Sequence, residues 1–192
     1  MQDKITISIS GAAEISHCGA DVIKRCLDLG RELSLNGEVQ IITGATTGFP
    51  YYVAKGFKES DPKSFSFGLS PAANKDEHLN TYKLPLEYMD AVIYTGFGYP
   101  GRDLMLVKSS DAIIIGCGRI GTIHEFTIAW ESEIPIGILE GEWPTDGVIK
   151  NIISNSNRTN DLVIFDADPK KLVEKVVAKV KEIGLRKHTL RV

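Results

Sequence analysis

Asp111-Ala112-Ile113-Ile114-Ile115 is an apolar run with no polar alternation, and it leads directly into Gly116-Cys117-Gly118-Arg119-Ile120-Gly121 and then a helical pattern carrying Thr122 and Glu125. A strand without a polar face is buried on both sides, which is the condition of a parallel sheet covered by helices. The glycines turn the chain from strand to helix and bring bare backbone N–H groups and the positive end of a helix dipole to one spot. That combination suits a phosphate. The expected ligand is a phosphorylated, nucleotide-like small molecule.

The rest of the chain repeats this grammar. Strand patterns are expected at Ile5–Ser10, Val39–Thr43, Ser64–Leu69, Met89–Thr95, Asp111–Ile115, Ile136–Leu139 and Leu162–Phe165. Helical spacing fills 20–35, 50–59, 98–109, 121–132, 146–154 and 169–183. Asn36-Gly37 stops the first helix, and Pro50 suits the first turn of the second. Strands separated by helices imply right-handed crossovers and helices on both faces. The fold class is therefore α/β: a Rossmann-like, doubly wound, mostly parallel sheet of about seven strands. Ligands of such sheets sit beyond the carboxyl ends of the strands, where the strand order reverses. The turns at Gly11, Gly44, Gly98 and Gly118 all fall on that edge. Ser70–Leu86 is polar, holds two prolines and has no period, so it is the expected mobile segment.

With 192 residues, 43% of them hydrophobic, the chain matches one domain, 1–192, with a full-sized core. A net charge of −3 supplies no basic footprint for nucleic acid. Met1-Gln2-Asp3-Lys4 leads straight into the first strand pattern, and no apolar run approaches the ~20 residues that span a bilayer. A cytoplasmic protein with no membrane partner is expected. Cys18, Cys26 and Cys117 are odd in number, and a reducing compartment would keep them as thiols. Cys26 falls on a core helix position. Cys117 is either a small turn residue or a nucleophile in need of a base. His17, His78, His124 and His188 are scattered, so neither a metal site nor a resident cofactor is expected.

Gly116-x-Gly118-x-x-Gly121 also matches the dinucleotide fingerprint, with Glu140 near the end of the next strand as the ribose carboxylate. The motif sits on the fifth strand rather than the first, however, and Arg119 would crowd a pyrophosphate. That reading also leaves Arg102, Thr122 and Glu125 unexplained. The turn Cys117-Gly118-Arg119-Ile120-Gly121-Thr122-Ile123-His124-Glu125, Gly101-Arg102-Asp103 before it, Ser10-Gly11-Ala12, Thr43-Gly44-Ala45-Thr46-Thr47-Gly48 and Thr95-Gly96-Phe97-Gly98 together resemble the Lonely Guy or "lysine decarboxylase-like" (SLOG) nucleotide-binding superfamily. Its signature is Pro-Gly-Gly-x-Gly-Thr-x-x-Glu, preceded by an arginine in a Met-x-x-Arg-Lys segment. Cys117, Arg119 and Asp103 depart from that pattern. They bring the chain closer to the small uncharacterised members and the molybdenum-cofactor carrier proteins than to the phosphoribohydrolases.

The resemblance implies two readings. In the first, the chain hydrolyses the N-glycosidic bond of a purine nucleoside 5′-monophosphate, with Glu125 and Arg102 as the catalytic pair and the transition state resembling an oxocarbenium ion. In the second, the same pocket carries or senses a nucleotide or the molybdenum cofactor without turnover. In both, Gly11, Gly44, Gly48, Gly118, Arg119, Gly121 and Thr122 bind the ligand. Lysine decarboxylation has no support, because no lysine stands in these turns to form a pyridoxal Schiff base. Read as isolated residues, Glu125 favours the helix dipole, Thr122 caps, His124 lies on the surface or at an interface, and Asp103 pairs with a lysine. The resemblance also implies a homodimer or higher homo-oligomer, with Phe126 and Trp130 as interface anchors.

Overall fold

The structure, a computed structural model, describes residues 4–157 and 161–189. The expected approach of Met1–Asp3 into the first strand lies outside them. So do residues 190–192 of the tail Arg186–Val192, whose order the sequence leaves open. Seven strands alternate with helices along the described chain: β1 (Ile5–Ser10), α1 (Val22–Leu35), β2 (Val39–Thr43), α2 (Phe49–Ser60), β3 (Ser66–Ser70), β4 (Ala91–Tyr94), α3 (Gly98–Lys108), β5 (Ala112–Ile115), α4 (Ile120–Glu131), β6 (Ile136–Leu139), α5 (Pro144–Asn155), β7 (Val163–Asp166) and α6 (Pro169–Thr189). All six strand pairings are parallel, in the order β4-β3-β2-β1-β5-β6-β7.

The direction of winding reverses between β1 and β5, so the crevice of the fold opens beyond Ser10 and Ile115. Helices α1, α2 and α6 cover one face and α3, α4 and α5 the other. Strand β1 shows how one strand serves both layers. Ile7 and Ile9 enter the core beneath α1 and α2, while Ser8 and Ser10, equally buried, point to the opposite face. Those serines find partners there: Ser8 Oγ donates to the Ala112 carbonyl, and Ser10 Oγ donates to Glu125.

Three sequence-based expectations are corrected. Residues 70–86, the expected mobile segment, contain regular structure: Glu77–Thr81 forms a π-helical turn. The fully buried His78 ties it down, with Nδ1 2.8 Å from Ser70 Oγ and Nε2 3.0 Å from the Pro85 carbonyl. Phe126 and Trp130 cannot anchor an interface, because they pack against Ile113, Ile115, Ile136 and Ile138 and are 0% and 5% exposed. Cys18 and Cys117 are not separate thiols. The loop after β1 brings them to a Cα separation of 5.8 Å and they form a disulfide across 99 residues of chain. Cys26 is a buried core thiol, as its helical position predicts, and burial pushes its ionisation up.

Candidate functional site

At the β1/β5 crevice lies a cavity of about 320 Å³, walled by four separate stretches of chain. Gly11, Ala12 and Ala13 follow β1, Thr46 follows β2, and Arg119, Ile120, Gly121, Thr122 and Glu125 belong to the turn and first helical turns after β5. Tyr99, Arg102 and Asp103 close it from α3. No side chain caps α4, and its first residues, Ile120, Gly121 and Thr122, line the cavity, bringing the positive end of the helix dipole to its wall.

Arg102 dominates the electrostatics. It is 5% exposed, and neither Nε nor Nη1 has a hydrogen-bond partner. Nε lies 3.1 Å from Asp103 Oδ1, close enough for charge attraction, but the N–H does not aim at the oxygen. Thr46 Oγ1, also buried, is likewise without a partner. A buried cation with unused donors is costly to a folded protein unless something completes it. An anionic ligand in the cavity does so. Gly44 makes the position possible: a Cβ there would come within 1.4 Å of Arg102 Nη1.

Beneath Arg102 lies an acidic pair. Burial lifts the Glu125 carboxyl from its usual 4.5 to about 8, with Arg102 pulling it down and the Asp103 charge pushing it up. Glu125 therefore carries its proton at neutral pH, and its second role is as the acceptor for Ser10. Asp103 is not the surface partner of a lysine that its isolated position suggests. It is 4% exposed and holds His124 Nδ1 at 3.0 Å, while His124 keeps its outer edge in solvent. The sequence signal for Asp103 was its place beside Arg102 on the helix covered by α4.

A raised carboxyl pKa means that folding favours the protonated form. The resulting stability is complete below about pH 4.5 and is lost as pH rises through 8, at up to ~1.4 kcal/mol per pH unit. Glu125→Gln should flatten that slope in urea denaturation between pH 5 and 9. Parallel profiles for the two proteins would contradict the assignment.

The structure separates the glycines expected to bind ligand. Gly11 and Gly121 line the cavity, but Gly44, Gly48 and Gly118 do not. Gly44 seats Arg102. Gly48, at φ +71°, packs on the Ala12 and Ala13 carbonyls, leaving 2.2 Å from a Cβ to the Ala12 oxygen. Gly118 exchanges two 2.8 Å hydrogen bonds with Thr145 Oγ1, so its amide is already used. Glu140 is turned away from the crevice and pairs with Lys150 at 2.7 Å, so the carboxylate of the dinucleotide reading is absent from this cavity. None of the cavity's lining comes from 70–86.

No helix among the described residues is long and apolar enough to cross a membrane. No curated protein matches the sequence. Among solved structures, the fold is similar to the molybdenum cofactor binding protein of Rippkaea orientalis, at TM-score 0.75 and 23% identity over 92% of this chain and 98% of that one. It is also similar to the molybdenum cofactor carrier protein of Chlamydomonas reinhardtii, at TM-score 0.70 and 21% identity over 91% and 97%. DNA processing protein A of Helicobacter pylori shares the fold more distantly, at TM-score 0.65 and 13% identity over 92% and 82%. At these identities the likeness is one of fold. The model of the SLOG cluster4 family matches residues 4–173, the whole sheet and every wall of the cavity, and the chain belongs to that family.

Proposed function

We propose that the protein binds and carries a phosphorylated, nucleotide-like ligand of the phosphopterin class to which the molybdenum cofactor belongs, rather than turning a nucleotide over. The observation that carries this reading is the buried, hydrogen-bond-deficient Arg102 guanidinium in the wall of the cavity. A guanidinium offers a planar fork that matches phosphate geometry. Arg119 and the uncapped start of α4 supply a second cationic side chain and N–H donors on the neighbouring wall. The fold shared with a molybdenum cofactor binding protein and a molybdenum cofactor carrier protein supports the choice of ligand class. The cavity volume lies at the small end of the range for small-molecule sites. In this reading Arg102 clamps the phosphate, Thr122 and Thr46 accept or donate at its rim, and the protonated Glu125 adds no negative charge to the site.

One observation favours the hydrolase reading: a carboxyl that holds its proton to about pH 8 is in the state required of a general acid for a leaving base. Incubating the protein with purine nucleoside 5′-monophosphates and with a phosphopterin, followed by chromatography and melting curves, separates the two. The carrier reading expects a raised melting temperature with the phosphopterin and no free base from any nucleotide. Base and ribose 5-phosphate released by the wild type and not by Glu125→Ala would replace it with the phosphoribohydrolase.

With Phe126 and Trp130 in the core, we place the contact of a homodimer on the apolar surface beside the cavity, formed by the exposed Tyr99, Pro100 and Ile120 with the half-buried Ile123. Light scattering should give a dimer that Ile120→Asp dissociates; a wild-type monomer would remove this placement. A cytoplasmic location accords with the carrier role.

A further inference from the structure

We propose that the reduced protein binds a thiolate-seeking divalent metal ion of the zinc class through Cys18, Cys117 and His17, at a site separate from the ligand cavity. Sequence spacing conceals the set, because Cys117 is 99 residues from Cys18. In the fold, the three ligand atoms lie within 4.8 Å of one another. His17 Nε2 is 3.7 Å from Cys18 Sγ and 3.6 Å from Cys117 Sγ. A tetrahedral zinc ion with bonds of ~2.3 Å to sulfur and ~2.0 Å to nitrogen requires a nitrogen-to-sulfur separation of ~3.6 Å. The histidine therefore stands at ligand distance from both sulfurs as the disulfide holds them.

The imidazole is also oriented for the task. Its other nitrogen, Nδ1, lies 3.6 Å from Glu14 Oε2, and an Nδ1–H directed at that carboxylate would leave the Nε2 lone pair facing the sulfurs. A carboxylate behind a histidine is the usual outer support of a metal-binding imidazole. Both cysteines are buried, 1% and 0% exposed, whereas the His17 side chain is 34% exposed. The ion would thus enter from the histidine side, and its fourth position would face solvent there.

The disulfide and the metal are alternative states of the same pair. A thiol reductant breaks the Cys18–Cys117 bond, its own two thiols becoming a disulfide as the two cysteines gain a proton each. The ion then displaces those two protons and takes both thiolates and the neutral imidazole. The sulfurs must part to ~3.8 Å around the ion, a side-chain rotation compatible with Cα atoms 5.8 Å apart. Either state ties the loop after β1 to the turn after β5, and the Ala12 amide already bonds the Cys117 carbonyl at 2.8 Å. Both segments wall the cavity, but no ligand of the metal set lines it.

Cobalt(II) is the probe. Reduced protein freed of small thiols and titrated anaerobically with Co²⁺ should develop thiolate-to-cobalt charge-transfer and tetrahedral d–d bands that saturate at one equivalent and are displaced by Zn²⁺. The oxidised protein should give none, and neither should reduced Cys117→Ser. His17→Ala, a change at the surface that spares the fold, should weaken binding at least tenfold and alter the d–d envelope. Cys26→Ser should leave the titration unchanged. Absence of thiolate bands in the reduced wild type, or bands indifferent to His17→Ala, would overturn the site. Phosphopterin binding is a separate readout that this titration does not touch.

Discussion

Arg102→Ala is expected to weaken binding of a phosphate-bearing ligand by about 10²-fold or more, the equivalent of ~3 kcal/mol, as for other buried charges whose partner is removed. The guanidinium is the one cavity side chain that is at once cationic, buried and short of hydrogen bonds. The free protein should tolerate its loss better than the complex does. Asp103 keeps His124 as a partner, and Glu125, relieved of the charge that lowers its pKa, stays protonated further up the pH scale. Arg102→Lys should fall between the two, because an ammonium keeps the charge but not the fork. Calorimetric titration checks the order, with circular dichroism to establish folding. Equal affinities for wild type and Arg102→Ala would remove Arg102 from the site.

Phe49→Ala is expected to cost ~3–5 kcal/mol of stability. For a domain of this length that lowers the melting temperature by roughly 6–20 °C. Phe49 begins α2 and is fully buried where the turns after β1 and β5 meet. A Cβ on Gly116 would stand 2.0 Å from its ring, and one on Gly11 would stand 2.6 Å from its side chain. Gly11, which reads as a ligand contact, and Gly116, the first glycine of the turn after β5, therefore both make room for one aromatic ring. Removing the ring leaves a void bounded by backbone that has little freedom to collapse. Chemical denaturation measures the effect; a loss below about 1 kcal/mol would mean that the turns close over the gap.

This double duty explains what the sequence could and could not reveal. The alternation of strand and helix was legible because period and burial agree. Ala112–Ile115 is apolar throughout and lies inside the sheet between β1 and β6, and the predicted ends of Val39–Thr43 and Ile136–Leu139 coincide with the observed ones. Arg102, Arg119, Thr122 and Glu125 were legible as a group because they carry the family resemblance, and the start of α3 and the turn after β5 fall on the same edge of the sheet. Glycine, however, carries no mark of what needs its missing side chain, so a ligand, an arginine at Gly44 and a phenylalanine at Gly116 read alike. Trp130 was misplaced although the signal was present: Thr122, Phe126, Ala129 and Trp130 form a stripe that faces the sheet. His78 and the Cys18–Cys117 pair were beyond reach, because their partners depend on how loops fold back and leave no periodic trace.

In the proposed function Arg102 holds the phosphate of a ligand that the protein keeps intact. The most direct test is a double-mutant-style cycle by calorimetry: wild type and Arg102→Ala, each titrated with a phosphopterin and with the same pterin stripped of its phosphate. Losing the phosphate should cost the wild type at least tenfold in affinity and cost Arg102→Ala little. An equal penalty in both proteins, or none in the wild type, would contradict it.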